Sequence, residues 1–488
     1  MKKQKWKWIV FLAILVFLCA CLDDKDNGMD NMDNTDQASD LPEEEPGDDS
    51  AQWQTPMRIS LEGAATESFS ESERPIVGMD ANGGGLAVWQ QTGADSGIWA
   101  AHFQVYGDTE TWSVPVEISG PGTDASDPSM AVNGPGEAVV IWKVWDSDSG
   151  ESRLYSRFYK PADGWGAIIP LNTTGCTPSQ VVLDDAGTAT VGWERAKPHP
   201  TNPTRVKTAG VHCYVPGSGW SGEYLLEDLD YTDEYSYVKK PTLALGPRNT
   251  VHAVWMRELD DTYYVRYSVY EDSAWNGPES VMSTPDYIYP FMRMDIDSSG
   301  NVMIGLRKKG ASGNPPEIRA IRYDSVSGWQ SYESIIEAEG LSLPGLAVDD
   351  DSGSAVICWR EDNDQNANME DIRARHCTPQ AGWGDPEFIE TFDYLTAYDG
   401  YNDIESVPAA VALGNGNFLA TWHQRGEESG AALYVNKYIA GQGWQDPEVF
   451  GDTQGIRSAW PVPAGDGEGR ALMVWGQDND ETWAMSYR

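Results

Sequence analysis

The sequence predicts an all-β fold: an eight-bladed β-propeller of four-stranded antiparallel blades, closed by its own N-terminal strand. Three observations lead there. The first is a recurring unit, clearest over residues 344–389 of the 488. An apolar run after a proline (Pro344, Leu346, Val348) turns at Asp350-Asp351-Ser352-Gly353. A second run ends in tryptophan (Ala355, Ile357, Trp359), a third alternates (Ile372, Ala374, His376), and Gly382-Trp383 leads to Pro386 and Ile389. Two-residue periodicity between Gly/Asp turns is the pattern of short antiparallel strands.

The second observation is the number of copies. The opening proline stands at Pro75, Pro128, Pro178, Pro241, Pro290, Pro344, Pro408 and Pro461, at spacings of 49 to 64 residues. The second strand ends at Trp89, Trp142, Trp193, Trp255, Leu306, Trp359, Trp422 and Trp475. The fourth opens at Trp112, Trp165, Trp220, Trp275, Trp329, Trp383 and Trp444. Propeller blades occupy roughly 40–50 residues.

The third observation is the mismatch at the ends. The eighth copy stops at Arg488 after three strands, whereas residues 53–60 (Trp53-Gln54-Thr55-Pro56-Met57-Arg58-Ile59-Ser60) match the fourth strand at Trp112–Ser119. Pairing the two ends in one blade removes two exposed sheet edges, which an open array would leave bare. A seven-bladed ring with one copy displaced is the alternative.

Taken from the start, residues 1–21 read as a signal peptide. Lys2, Lys3, Lys5 and Lys7 precede an apolar core from Ile9 to Leu18, too short to span a bilayer. Leu18-Cys19-Ala20-Cys21 resembles the bacterial lipobox, and that resemblance implies a lipid on Cys21 after cleavage. Leu22 rather than Asp follows, which by the same resemblance favours the outer membrane in a Gram-negative cell; the alternative is an ordinary secretory signal. Residues 22–50 carry twelve Asp/Glu and one lysine. Such a segment buries too little apolar surface to offset its ordering entropy and reads as a disordered acidic tether.

Residues 51–488 form the propeller, one repeat domain, because single blades do not bury their own faces. Removing the four signal lysines and the tether's net −11 from the chain's −42 leaves −35 on this body. That charge argues against nucleic acid and against anionic lipid as partners. Four cysteines remain in it, Cys176, Cys213, Cys358 and Cys377. An even number in an exported chain predicts two disulfides, with Cys358–Cys377 across adjacent strands of one blade and Cys176–Cys213 within another. No Cys-x-x-Cys or paired-His spacing points to a transition metal.

The first-to-second turns (Asp80-Ala81-Asn82-Gly83, Asp184-Asp185-Ala186-Gly187, Asp297-Ser298-Ser299-Gly300) are tight and uniform, and their aspartates read as turn formers. The opposite, loop face is where the copies diverge. Its connections hold Tyr231, Tyr235 and Tyr237; then Asp286, Tyr287 and Tyr289; then Tyr394, Tyr398, Asp399 and Tyr401. Tyrosine beside carboxylates and amides suits a sugar or peptide, by ring stacking and hydrogen bonding to hydroxyls or amines. Solvated acidic loops are the equal alternative. Lys239, Lys240 and Arg293 lie near the tunnel entrance and offer an anion site, with local charge balance in the acidic body as the equal alternative. Acidic loops such as Asp146-Ser147-Asp148-Ser149-Gly150-Glu151 only partly match a calcium loop, so calcium is a weak cofactor candidate.

No nucleophile elbow, zincin motif or phosphate loop occurs, and the histidines His102, His252, His376 and His423 fall at strand positions that read as structural. The Pro-x-x-x-x-Asp-x-x-Gly…Trp repeat from Trp53 to Arg488 resembles bacterial exported propeller lipoproteins, a resemblance of architecture. The reading is a cell-envelope lipoprotein acting as a non-catalytic binding or scaffolding platform for glycan or protein. The alternative is a polysaccharide-active enzyme, glycoside hydrolase or lyase, with its site in the central cleft.

Overall fold

In each repeat the apolar run after the proline forms the innermost strand, and the chain then zigzags outward. In blade six, for example, Gly345–Val348 pairs with Ala355–Asn363, which pairs with Asn366–Thr378, which carries Gly382–Trp383 and Glu387–Phe388 at the edge. The computed structural model describes residues 52–488 except 62–64, 67–73, 93–95, 108, 198–205, 228–236, 311–312, 364–365, 391–406, 427–429, 450–460 and 478–480. Eight such antiparallel sheets follow in order, and the expected eight blades are present.

The ring closes as the termini predict. The last sheet runs Val462–Gly465, Ala471–Gln477, Glu481–Tyr487 and then Met57–Arg58, so its outer strand comes from the other end of the chain. Met57 pairs with Ala484, Arg58 with Trp483, and Trp53 bridges Tyr487. Arg58 Nη1 adds a 2.9 Å ion pair to Glu481.

The core lies in the seams between blades. Trp142 packs with Leu86, Val88 and Ile98 of the preceding blade, and Trp193 with Val139 and Ile141. The pattern continues around the ring until Trp89 of blade one packs with Leu472 and Val474 of blade eight. All seven of these strand-end tryptophans are fully buried. Several cap their indole N–H two residues along the same strand: Trp359 donates to Glu361 Oε2 (2.6 Å) and Trp422 to Gln424 Oε1 (2.9 Å). A buried indole N–H left without an acceptor costs free energy, which gives the acceptor at that position a packing reason.

Blade five departs from this pattern. Leu306 replaces the tryptophan, and its seam with blade four is filled by Met256, Met282, Met292 and Met294. Unbranched methionine fills the irregular space a missing indole leaves.

The fourth strand differs in detail from a continuous one. In most blades it is two short pieces, such as Gly382–Trp383 and Glu387–Phe388, interrupted near Pro115, Pro386 and Pro447, whereas in blade four it runs unbroken as Ala274–Thr284. Proline cannot donate to a ladder, and a broken, short edge resists pairing with a second molecule. The fourth-strand tryptophan meets an aromatic on the third strand in nearly every blade: Phe103–Trp112, Tyr159–Trp165, Tyr214–Trp220, Tyr270–Trp275, Tyr323–Trp329 and Tyr438–Trp444, with ring centroids 5.1–5.5 Å apart. Trp53–Tyr487, also 5.1 Å, is the eighth blade's version, made from both ends of the chain.

That aromatic position explains why the predicted disulfides are absent. All four body cysteines are free thiols. Cys377 takes the aromatic's place opposite Trp383, and packs in the seam with blade five. Cys358 pairs with Ala374, three positions away, and faces the seam with blade seven. The two point to opposite faces of one sheet, because side chains alternate along a strand. Cys176 pairs with Arg195 and Cys213 with Thr190, at distant points of the same strand. Adjacency in sequence order is not adjacency of side chains.

Candidate functional site

The inner strands enclose a central cavity of about 420 Å³. Pro128, Pro178, Pro241 and Pro290 stand in its wall, so the residues that open each repeat shape the space at its centre. Its charged lining is Arg74, Lys240, Arg293, Asp127 and Asp295. The carboxylates are committed elsewhere. Asp127 pairs with Lys143. Asp295 accepts from the backbone N–H of Val348 (2.8 Å) and Ile296 (3.0 Å), and burial pushes its carboxyl up to about 7. Three basic and two acidic side chains therefore share this lining, inside a strongly acidic body. Asp127 also holds a left-handed backbone (φ 50°), a costly conformation for a residue with a side chain.

The connections into blades four and five bring together a tyrosine cluster beside this cavity. The strand Tyr237–Val238 pairs with the end of Thr250–Leu259, setting Tyr237 opposite Glu258, and Glu258 lies opposite Tyr263. Tyr287 and Tyr289 are fixed by backbone bonds to blade five: Lys309 N–H donates to Tyr287 O (2.8 Å) and Tyr289 N–H to Arg307 O (3.0 Å). The rings touch edge to face, Tyr263–Tyr287 at 5.3 Å and Tyr287–Tyr289 at 5.2 Å. Both connections run directly into the cavity wall at Lys240-Pro241 and Pro290-Phe291.

Cations sit on these rings. Arg307 lies 4.3 Å from the centre of Tyr289, and Lys239 Nζ 5.5 Å from that of Tyr237. Lys308 beneath them is 2.8 Å from Asp286 and 3.4 Å from Glu317, which also binds Arg319 at 2.8 Å. Glu317 is almost fully buried; an unpaired charge there would be costly, so this network anchors the loop.

Burial raises the phenols of Tyr237, Tyr263 and Tyr287 above the ordinary tyrosine range, Tyr263 to about 12. Tyr263 is raised further by donating to Glu258, and Tyr237 by the Glu258 charge and by donating to Tyr287. These groups hold their protons at neutral pH. They can give a proton or a hydrogen bond, and Glu258 is the carboxylate among them placed to accept one.

Of the tyrosines singled out in the sequence, Tyr237, Tyr287 and Tyr289 join this cluster. Tyr231, Tyr235, Tyr394, Tyr398, Asp399 and Tyr401 lie outside the described residues. Tyr263, Glu258, Arg307 and Lys308 were not singled out. The signal available for the last two was blade five's departure from the repeat, Leu306-Arg307-Lys308-Lys309 in place of a tryptophan ending. Among the described residues no group of three or more His, Cys, Asp and Glu is arranged to hold a metal ion. Among the histidines, His102 stacks on Tyr159, His252 bonds to Thr250 and Tyr267, and His376 stacks on Tyr438.

No protein-family profile and no curated protein sequence matches the chain. Similar solved structures include an ulvan lyase bound to a GlcA(1-4)Rha3S ligand, at 12% identity and TM-score 0.47 over 79% of this chain and 96% of that one. A puromycin hydrolase mutant matches at 12% identity and TM-score 0.46 over 86% of this chain and 62% of that one. An α-L-arabinanase from Penicillium chrysogenum matches at 11% identity and TM-score 0.36 over 64% and 92%. At these identities and scores the comparisons carry nothing about what this chain acts on.

Proposed function

We propose that this chain is a polysaccharide-active enzyme, a hydrolase or lyase, whose site is the mouth of the central cavity beside blades four and five. The observation that carries it is the cluster of Tyr237, Tyr263, Tyr287 and Tyr289 with Arg307 and Lys239 on its rings, in connections that lead directly into the cavity wall at Lys240-Pro241 and Pro290-Phe291. Flat rings offer stacking faces to sugars, and basic side chains of the lining such as Lys240 and Arg293 offer partners for carboxylate or sulfate substituents. Chain cleavage needs a proton donor at the leaving oxygen and an acceptor for a second proton. Tyr263 and Tyr287, protonated by burial, are the donors on offer, and Glu258 is the acceptor.

The test is a panel of acidic and neutral polysaccharides incubated with the full chain, with and without calcium, followed by product sizing and ultraviolet absorbance. Shortened chains support hydrolysis; new unsaturated ends support elimination. Glu258→Gln and Tyr287→Phe are expected to lower turnover by about 10²–10⁴-fold, the usual worth of general acid–base groups. Binding of a glycan without any product overturns the enzyme reading in favour of a non-catalytic platform.

The setting belongs to the same proposal. Cys21 carries the lipid, residues 22–50 hold the propeller off the bilayer, and the outer membrane is the destination in a Gram-negative cell. Cys21→Ser is then expected to abolish labelling by radioactive palmitate and to release the protein from membranes. A labelled, membrane-bound Cys21→Ser variant would overturn it.

A further inference from the structure

On the turn face, at the opposite end of the ring from the tyrosine cluster, blade one is built differently from the others. In the remaining seven blades the residue just before the inner pairing of the second strand carries a side chain: Glu137, Thr188, Thr250, Asn301, Ser354, Asn417 and Arg470. Several of these fasten the turn between the third and fourth strands of their own blade. Asn301 Oδ1 accepts from Ser325 N–H (2.9 Å), Asn417 Oδ1 from Ala440 N–H (3.0 Å), and Glu137 pairs with Lys160 (3.0 Å). In blade one that residue is Gly84, which has no side chain to do so.

The turn it would have fastened is instead lengthened. Beyond the Phe103–Trp112 pair the hairpin continues through Gln104–Thr111, Val105–Glu110 and Tyr106–Thr109. Elsewhere, as at Tyr159–Trp165, one further pair ends it. The missing side chain and the projecting hairpin leave a pocket of about 210 Å³ between blades one and two.

Its lining combines rings with planar polar groups. Tyr106 is 63% exposed at the hairpin tip, its hydroxyl donating to Gln104 Oε1 at 2.9 Å. Tyr159 and His102 form the inner wall, stacked 3.8 Å apart, and His102 Nε2 has no hydrogen-bond partner among the described residues. Asp80 and Asn82 form the remaining edge; Asp80 is held in place by accepting from Asn82 N–H (2.7 Å) and Gly84 N–H (2.9 Å) through one oxygen.

We infer that this pocket is a second binding site, for a single neutral hexose unit of a glycan, separate from the central cavity. The volume suits one sugar ring. Tyr106 supplies an apolar face for the ring's C–H surface, and Asp80, Asn82 and Gln104 supply acceptors and donors for its hydroxyls. A positively charged ligand would find only Asp80, and an anionic one would face that carboxylate with no cation opposite it in the lining. Burial holds His102 neutral, down to about 4, so the wall adds no charge at physiological pH. Such a site would hold a polymer to the ring at a point remote from the loop face, raising its local concentration there.

The test is titration of the full chain with glucose, galactose and mannose, and with the β-1,4-linked disaccharides of glucose and mannose, followed by calorimetry or ligand-detected magnetic resonance. At least one is expected to bind with a Kd of about 1 mM, an affinity suited to a shallow one-sugar site. Tyr106→Ala and Asn82→Ala, both at exposed positions, are expected to weaken it about tenfold with an unchanged melting temperature, roughly 1.4 kcal/mol of binding. Gly84→Asn, restoring the side chain found in blades five and seven, is expected to abolish it. Tyr289→Ala, in the central cluster, is expected to leave it unchanged. No binding of any of these sugars overturns the inference, as does binding that is lost in Tyr289→Ala and kept in Tyr106→Ala.

Discussion

Single residues here answer to the seam they face. Cys358 and Cys176 are buried among apolar groups, and that burial pushes their thiols up to about 12; Cys377 is pushed up to about 11. The thiolate is the reactive form, so these cysteines are expected to resist iodoacetamide at pH 8 in the folded protein and to react once it is unfolded. Mass spectrometry of labelled and unlabelled samples checks this; fast labelling of native protein would contradict the packing. Asp295 gives a pH dependence. Its folded pKa of about 7 lies above the ordinary aspartate value of 3.8, so its contribution to stability is whole below about pH 4 and is lost as pH rises through 7. Asp295→Asn is expected to flatten the fall in melting temperature between pH 5 and pH 8. An equally steep fall in the variant would assign the effect to other groups.

At the scale of the blade, the second-strand tryptophan fills the seam in every blade but the fifth, and the borrowed outer strand closes the ring. Trp422 is wholly buried between blades six and seven, with its N–H on Gln424. Trp422→Ala is expected to cost about 3–5 kcal/mol, measured by chemical denaturation. Leu306 stands where the other blades carry that indole, and methionines fill the seam around it. Leu306→Trp is therefore expected to destabilise by about 1–3 kcal/mol through overpacking, although it restores the repeat. Removing residues 52–60 takes away Trp53 from Tyr487 and the Met57–Arg58 pairing, leaving blade eight with an open edge. A large drop in melting temperature is expected, and an unchanged one would contradict ring closure.

At the scale of the molecule, the ring sets apart two faces with different freedoms. The turn face is constrained by repeated contacts between neighbouring turns: a Cβ on Gly136 would stand 2.9 Å from Asp80 Oδ2, and one on Gly353 at the same distance from Asp297 Oδ2. The loop face carries the connections that vary in length and composition, and there the tyrosine cluster forms, in connections that lead into the cavity wall. Surface loops on a rigid scaffold tolerate such change, and binding groups collect on them for that reason. Basic side chains in the cavity lining of a body of net charge −35 also make a salt dependence. Anionic polymer is expected to bind more weakly as ionic strength rises, neutral sugar to be indifferent. Equal behaviour of the two would remove charge from the account of recognition.

The blade count, the strand order and the closure by residues 53–60 were legible in the sequence, because each rests on local periodicity and on a repeat whose phase survives from Pro75 to Pro461. Tyr237, Tyr287 and Tyr289 were legible too, as aromatic residues in divergent connections. Cysteine pairing was not: Cys358 and Cys377 sit on neighbouring strands, yet a register offset of three turns them to opposite seams. The site was legible only in part, since Glu258 and Tyr263 meet Tyr237 and Tyr287 across strands and across a seam, and Arg307 reaches Tyr289 from the following blade. Periodicity specifies which residues face inward along one strand; how strands of adjacent blades are rotated and packed specifies which of them touch.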